Sequence, residues 1–151
     1  MATHLAVGQK APLFSAIDES GKKVSLKDLR GKKVVLYFYP EDDTPTCTTQ
    51  ACNLRDNYAI LKNKGYEILG ISPNDAGSHQ KFKTKFNLPF TLLADPEKRI
   101  IDQYGVWGEK NLYGRTYMGL HRTTFVIDEK GIIEKIILRP RSKMHAEEIL
   151  K

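Results

Sequence analysis

The chain has 151 residues, 40% of them hydrophobic and 28% charged, which excludes collagen-like, low-complexity and disordered classes. Twenty-four Lys and Arg against 18 Asp and Glu leave a formal charge of +6, enough to favour solubility and anionic partners but not to indicate nucleic acid. The length fits one domain over residues 1–151. The longest apolar run, Val34 to Tyr39, falls far short of the ~20 residues of a membrane helix. Met1 to Lys10 lacks the basic and apolar regions of a secretory signal. The expected address is therefore cytoplasmic, with no membrane partner.

Leu13 to Ile17 alternates as a strand does, turns through Asp18-Glu19-Ser20-Gly21 and resumes at Lys23 to Leu26, predicting a hairpin that decorates the main sheet. Val34 to Tyr39 is β-branched and aromatic almost throughout and bounded by Gly31 and Pro40, as in a central strand buried on both faces. A helix follows, its stripe reading Cys47, Ala51, Leu54, Tyr58 and Leu61 and ending before Gly65. Tyr66 to Pro73 is a second strand, Ser78 to Phe86 a short helix, Phe90 to Ala94 a third strand and Pro96 to Tyr104 another helix. Arg122 to Ile127 and Ile132 to Leu138 flank Asp128-Glu129-Lys130-Gly131 as a hairpin, and Ser142 is a cap for a last helix through Leu150. This order predicts an α/β, thioredoxin-like fold: a central mixed sheet flanked by helices, with an N-terminal β-hairpin extension.

The segment Tyr39-Pro40-Glu41-Asp42-Asp43-Thr44-Pro45-Thr46-Cys47 leaves the C-terminal end of the central strand, where open α/β sheets place their sites. Thr44-Pro45 reads as an N-cap followed by proline at the first helical position, which puts Cys47 in the first turn. There the unpaired N–H groups and the positive end of the helix dipole favour a thiolate. The competing reading makes Cys47 a small core residue on the apolar stripe.

Two cysteines are too few for a disulfide scaffold, and the C-x4-C spacing of Cys47 and Cys52 matches neither a zinc ribbon nor C-x-x-C. In an ideal helix their Cα atoms lie about 8.6 Å apart with diverging side chains. A disulfide needs less than ~7 Å, so any pairing of the two requires the helix to unwind; otherwise Cys52 is a free surface thiol. Arg122 heads a strand-forming segment where packing gives a long cation no reason to be, so it either reaches a thiolate or polar substrate or snorkels to water. His4, His79, His121 and His145 show no metal-ligand spacing, and no nucleotide-binding motif appears, so neither a metal nor a nucleotide cofactor is expected. Lys81-Phe82-Lys83-Thr84-Lys85-Phe86 reads as one apolar helix face beside solvated lysines, not a nucleic-acid site.

Pro40-x3-Thr44-x2-Cys47, with Cys52 five positions on, resembles the peroxiredoxin active-site motif. It is more closely similar to the peroxiredoxin Q, or bacterioferritin comigratory protein, class, which often keeps its resolving cysteine in the helix of the peroxidatic one. Gly8-Gln9-Lys10-Ala11-Pro12, Gly70-Ile71-Ser72, Trp107 through Arg115 and Arg122 through Asp128 extend the resemblance over nearly the whole chain. It implies a thiol peroxidase acting on hydrogen peroxide and organic hydroperoxides. Cys47 attacks the peroxide, Thr44 bonds the substrate oxygens, Arg122 supports the thiolate and Pro40 shields the site. Cys52 condenses with the sulfenic acid, thioredoxin or a similar thiol reductant recycles the disulfide, and the chain is a monomer. Thr46 stands where the family commonly has glycine, and His121 where some relatives carry an acidic residue. A disulfide reductase on a similar fold would carry C-x-x-C, which is absent. A basic binding module would bind DNA whether or not Cys47 is present.

Overall fold

The computed structural model describes residues 3–151. Its strands are β1 (Ser15–Asp18), β2 (Lys23–Ser25), β3 (Lys33–Phe38), β4 (Tyr66–Ser72), β5 (Thr91–Ala94), β6 (Trp107–Leu112), β7 (Arg115–Leu120), β8 (Thr123–Ile127) and β9 (Ile133–Leu138). The helices are α1 (Pro45–Asp56), α2 (Tyr58–Asn63), α3 (Ala76–Phe86), α4 (Arg99–Gln103) and α5 (His145–Leu150). Seven strands form one mixed sheet in the order β2-β1-β5-β4-β3-β8-β9. The β3-β4-β5 block is parallel, while β1 and β8 join antiparallel at either side. This is the thioredoxin-like arrangement, and the N-terminal hairpin extends the sheet through β1 on β5.

The apolar run at Val34 to Tyr39 is explained by the position of β3. Its alternate side chains enter two separate cores, Val34, Leu36 and Phe38 on one face and Val35 and Tyr37, followed by Tyr39, on the other. The second core receives Cys47, Ala51 and Leu54 of α1 and Leu61 of α2, so the helical stripe is indeed the buried one.

Three predicted helix limits are corrected, and one strand pair is added. The helix drawn as continuous from Cys47 to Leu61 breaks at Asn57, whose side-chain amide donates to the Asn53 carbonyl at 2.8 Å and competes with the regular helical bonds there. The helix predicted from Pro96 starts at Arg99, because the Asp95 carboxylate accepts from the Ile101 N–H at 2.8 Å while Lys98 is left-handed. Ser142 does not cap the last helix. It lies in a turn, Met144 holds the N-cap position, and Asn53 of α1 anchors the first turn instead, its Oδ1 accepting from the Ala146 N–H at 2.8 Å. Finally, β6 and β7 were not anticipated at all. They pair only with each other, outside the main sheet.

Gly70 of β4 lies opposite Tyr37 of β3, and an added Cβ would stand 2.9 Å from Tyr37 Cζ and 3.0 Å from Leu92 Cδ2. The Tyr37 ring is already stacked on Tyr39 and edge-on to His145, so it has little room to yield. Gly70→Ala is expected to cost about 1–3 kcal/mol by overpacking. An unchanged denaturant midpoint would show that the ring moves aside freely.

Candidate active site

Pro40 ends the β3 segment, half-buried, after the Tyr39 N–H has made the last sheet bond, to the Ile71 carbonyl at 3.0 Å. The following loop is held by Asp42. Its carboxylate accepts from Tyr39 Oη (2.6 Å), Ser78 Oγ (2.7 Å) and His79 Nδ1 (2.7 Å), and its backbone N–H donates to Asn74 Oδ1 at 2.9 Å. Burial pushes the Asp42 carboxyl up, but the bonds from His79, Tyr39 and Ser78 outweigh it and hold the group below its ordinary value. The loop is thereby tied at Asp42, three residues before α1, to Ser78 and His79 of α3 and to Asn74 ahead of it.

Thr44 occupies the N-cap position of α1 with extended backbone, but its hydroxyl does not cap the helix; it donates to the Glu41 carbonyl at 3.2 Å. Pro45 and Thr46 follow, and Cys47 is the third helical residue, 1% exposed. Register explains how Arg122 reaches it. β8 runs antiparallel beside β3 with Thr123 opposite Phe38, so the residue before Thr123 stands at the mouth of the loop. From there Arg122 Nη2 donates to Cys47 Sγ at 3.0 Å and Nη1 to Gln50 Oε1 at 3.2 Å. Of the two sequence readings of Arg122, the guanidinium therefore follows the one aimed at the thiol.

Cys52 lies five residues along the same unbroken helix, half-buried, and both cysteines are free thiols. His121, next to Arg122, turns its Nε2 to the Glu109 carbonyl at 3.0 Å.

Three features of the site were not read from the sequence. Gln50, buried one turn after Cys47, bonds Arg122, and a polar amide three residues after Cys47, beside the apolar stripe, was the available signal. His145 of α5 bonds Gln50 in turn. Lys110 of β6 crosses Gly119, where an added Cβ would meet Lys110 Cδ at 2.9 Å, and its ammonium donates to the Leu120 carbonyl at 2.9 Å. Burial, then repulsion from Arg122, holds the Lys110 ammonium below its ordinary value, with Cys47 acting the other way. A second cation thus shares the field of the site. Among the described residues, no three His, Cys, Asp or Glu side chains converge as a metal site and no helix is long and apolar enough to cross a membrane.

A family model described as AhpC/TSA matches residues 7–136. The chain belongs to the AhpC/TSA family. Within it, the chain is 48% identical over 146 residues to the putative peroxiredoxin bcp of Coxiella burnetii, covering 97% of each chain. It is 44% identical to peroxiredoxin Bcp of Escherichia coli K12, covering 97% of this chain and 94% of the relative. Among solved structures, peroxidoxin BcpB of Mycobacterium tuberculosis superposes with a TM-score of 0.86 at 31% identity, covering 97% of this chain and 95% of that one. The resemblance read from the Pro40-to-Cys52 segment holds: this peroxiredoxin is of the Bcp and peroxiredoxin Q kind. As such it is a thiol-dependent peroxidase, an oxidoreductase.

Proposed function

We propose that this peroxiredoxin reduces hydrogen peroxide and organic hydroperoxides through Cys47 and resolves the product through Cys52. The observation that carries the reading is the 3.0 Å contact from Arg122 Nη2 to Cys47 Sγ in the first turn of α1. The guanidinium is placed to donate to the thiolate, which is the nucleophile. The Cys47 thiolate attacks the terminal oxygen of ROOH, the O–O bond breaks, and RO⁻ leaves to take a proton as ROH. Cys47 is left as the sulfenic acid. Arg122 stabilises the negative charge that moves onto the leaving oxygen. The Thr44 hydroxyl, released from the Glu41 carbonyl, bonds the peroxide oxygens, while Pro40 at the strand end shields the thiolate from water.

Cys52 then attacks the sulfenic sulfur, forming the disulfide and expelling water. Because α1 is continuous from Pro45 to Asp56, this step requires its first turns to unwind. A dithiol reductant such as thioredoxin restores both thiols by exchange. The reaction needs no metal or organic cofactor. A single copy holds every group invoked, so the monomer suffices, and two free thiols suit a reducing compartment such as the cytoplasm.

Adding one equivalent of hydrogen peroxide to the reduced protein is expected to consume both thiols rapidly, with peptide mapping locating an intrachain bond between Cys47 and Cys52. Loss at the rate of an ordinary exposed thiol would refute the reading. Cys52→Ser is expected to keep the first turnover at full rate and lose steady-state turnover with thioredoxin. Normal recycling by that variant would assign resolution to another thiol.

A further inference from the structure

The bond directions around Arg122 can be followed outward from the reacting sulfur. A guanidinium only donates, so the Gln50 atom facing it at 3.2 Å must be the carbonyl oxygen. That fixes the amide, whose nitrogen then faces Nδ1 of His145 at 3.2 Å. An amide nitrogen also only donates, so Nδ1 must be bare. The proton of the neutral ring is therefore on Nε2, which donates to Thr124 Oγ1 at 2.7 Å. The tautomer is dictated by the site.

We propose that His145 is a positioning residue of the peroxide site, holding the Gln50 amide in the one orientation that offers Arg122 an acceptor and so keeps the guanidinium on Cys47. This rests on the reading of Cys47 and Arg122 given above. All the donors in the chain point the same way, from Arg122 through Gln50 and His145 to Thr124, so each bond polarises the next. The ring itself is fixed by packing: His145 is fully buried, and the Tyr37 ring meets it edge-on at 5.4 Å and 79°. A proton on Nδ1 would oblige the amide to turn over and present its NH2 to the guanidinium, donor against donor. Burial pushes the imidazole down to about 3, so the ring stays neutral across the neutral range.

The anchoring of α5 adds support. A helix of six residues is marginal alone. This one is tied at its start by Asn53, which bonds the Lys143 carbonyl (2.9 Å) and the Ala146 N–H (2.8 Å), and at its end by Lys135 Nζ on the Ile149 (3.0 Å) and Lys151 (2.8 Å) carbonyls. Both ends are secured to the layers that carry the site.

The test is the pH profile of single-turnover oxidation by hydrogen peroxide in the full chain. His145→Phe keeps a ring but removes the acceptor; it is expected to lower the neutral-pH rate on the order of tenfold and to move the profile to higher pH. His145→Asn, whose amide oxygen can stand where Nδ1 accepts, is expected to recover most of the rate. In a Gln50→Ala background the His145→Phe change should have little further effect. An unchanged profile for His145→Phe, or additive losses in the double variant, would overturn the proposal. Should the variant not fold, nitrogen NMR of the wild-type ring decides: a bare Nδ1 and protonated Nε2 between about pH 5 and 8 is expected, and the opposite tautomer or a titrating ring overturns it. Fast oxidation of wild-type protein alongside an indifferent His145→Phe would fail this inference alone. Slow oxidation of wild-type protein would fail the reading beneath it.

Discussion

Cys47→Ser is expected to lower peroxide reduction to that of an ordinary exposed thiol, with thioredoxin or dithiothreitol as reductant. A serine hydroxyl at this position stays protonated at neutral pH and cannot form a sulfenic acid, so neither step of the proposed mechanism has a substitute. Cys52 does not replace it, because it lies beyond the first turn and receives no bond from Arg122. The fold should tolerate the change. The side chains are nearly equal in volume, and the hydroxyl can accept the bond that Arg122 Nη2 now gives to Sγ at 3.0 Å. Peroxide consumption is the activity measurement, and a thermal melt beside it separates chemistry from folding. A folded Cys47→Ser protein with wild-type turnover would remove Cys47 from the mechanism.

Arg122→Ala is expected to have the next largest effect, a fall on the order of 10²–10³ in the rate of the first oxidation. In the proposed mechanism Arg122 meets the charge that moves onto the leaving oxygen, an interaction stronger in the transition state than in the ground state, so its loss raises the barrier. The truncation also leaves Gln50 Oε1 without its donor, which adds a modest stability cost of about 1–3 kcal/mol for a buried acceptor. Lys110 shares the field but is bound to the Leu120 carbonyl, so it is not expected to move in as a replacement. Stopped-flow oxidation by hydrogen peroxide checks this, and a rate within threefold of wild type would reduce Arg122 to a packing role.

Local signals carried the sheet and the catalytic loop. The β-branched and aromatic run at Val34 to Tyr39, bounded by Gly31 and Pro40, marks a strand with a core on each side, and Thr44-Pro45 before an apolar stripe marks a helix start. What escaped depended on distance or on weak periodicity. The break at Asn57 is silent in the pattern because Tyr58 and Leu61 continue the stripe on the far side of it. The β6–β7 pair is silent because, among its described side chains, only Trp107 and Leu120 meet the core, while Tyr113, Tyr117 and Met118 are exposed and glycines interrupt the alternation. The site divides in the same way. Pro40, Thr44 and Cys47 form a contiguous motif, whereas Arg122 stood out only as a cation that packing did not explain. His145 meets Gln50 across 95 residues of sequence, and no local pattern encodes that meeting.

The β6–β7 hairpin has a consequence for how such an enzyme can diverge. Among the described residues its two strands give their ladder bonds only to each other, and one of its side chains, Lys110, shares the electrostatic field of the thiol. Substitutions on its outer face therefore leave the seven-stranded sheet and the Arg122 register intact, so their cost stays local. A lineage could change what approaches the sulfur by altering this hairpin alone, keeping the reaction centre constant while the clientele of hydroperoxides drifts.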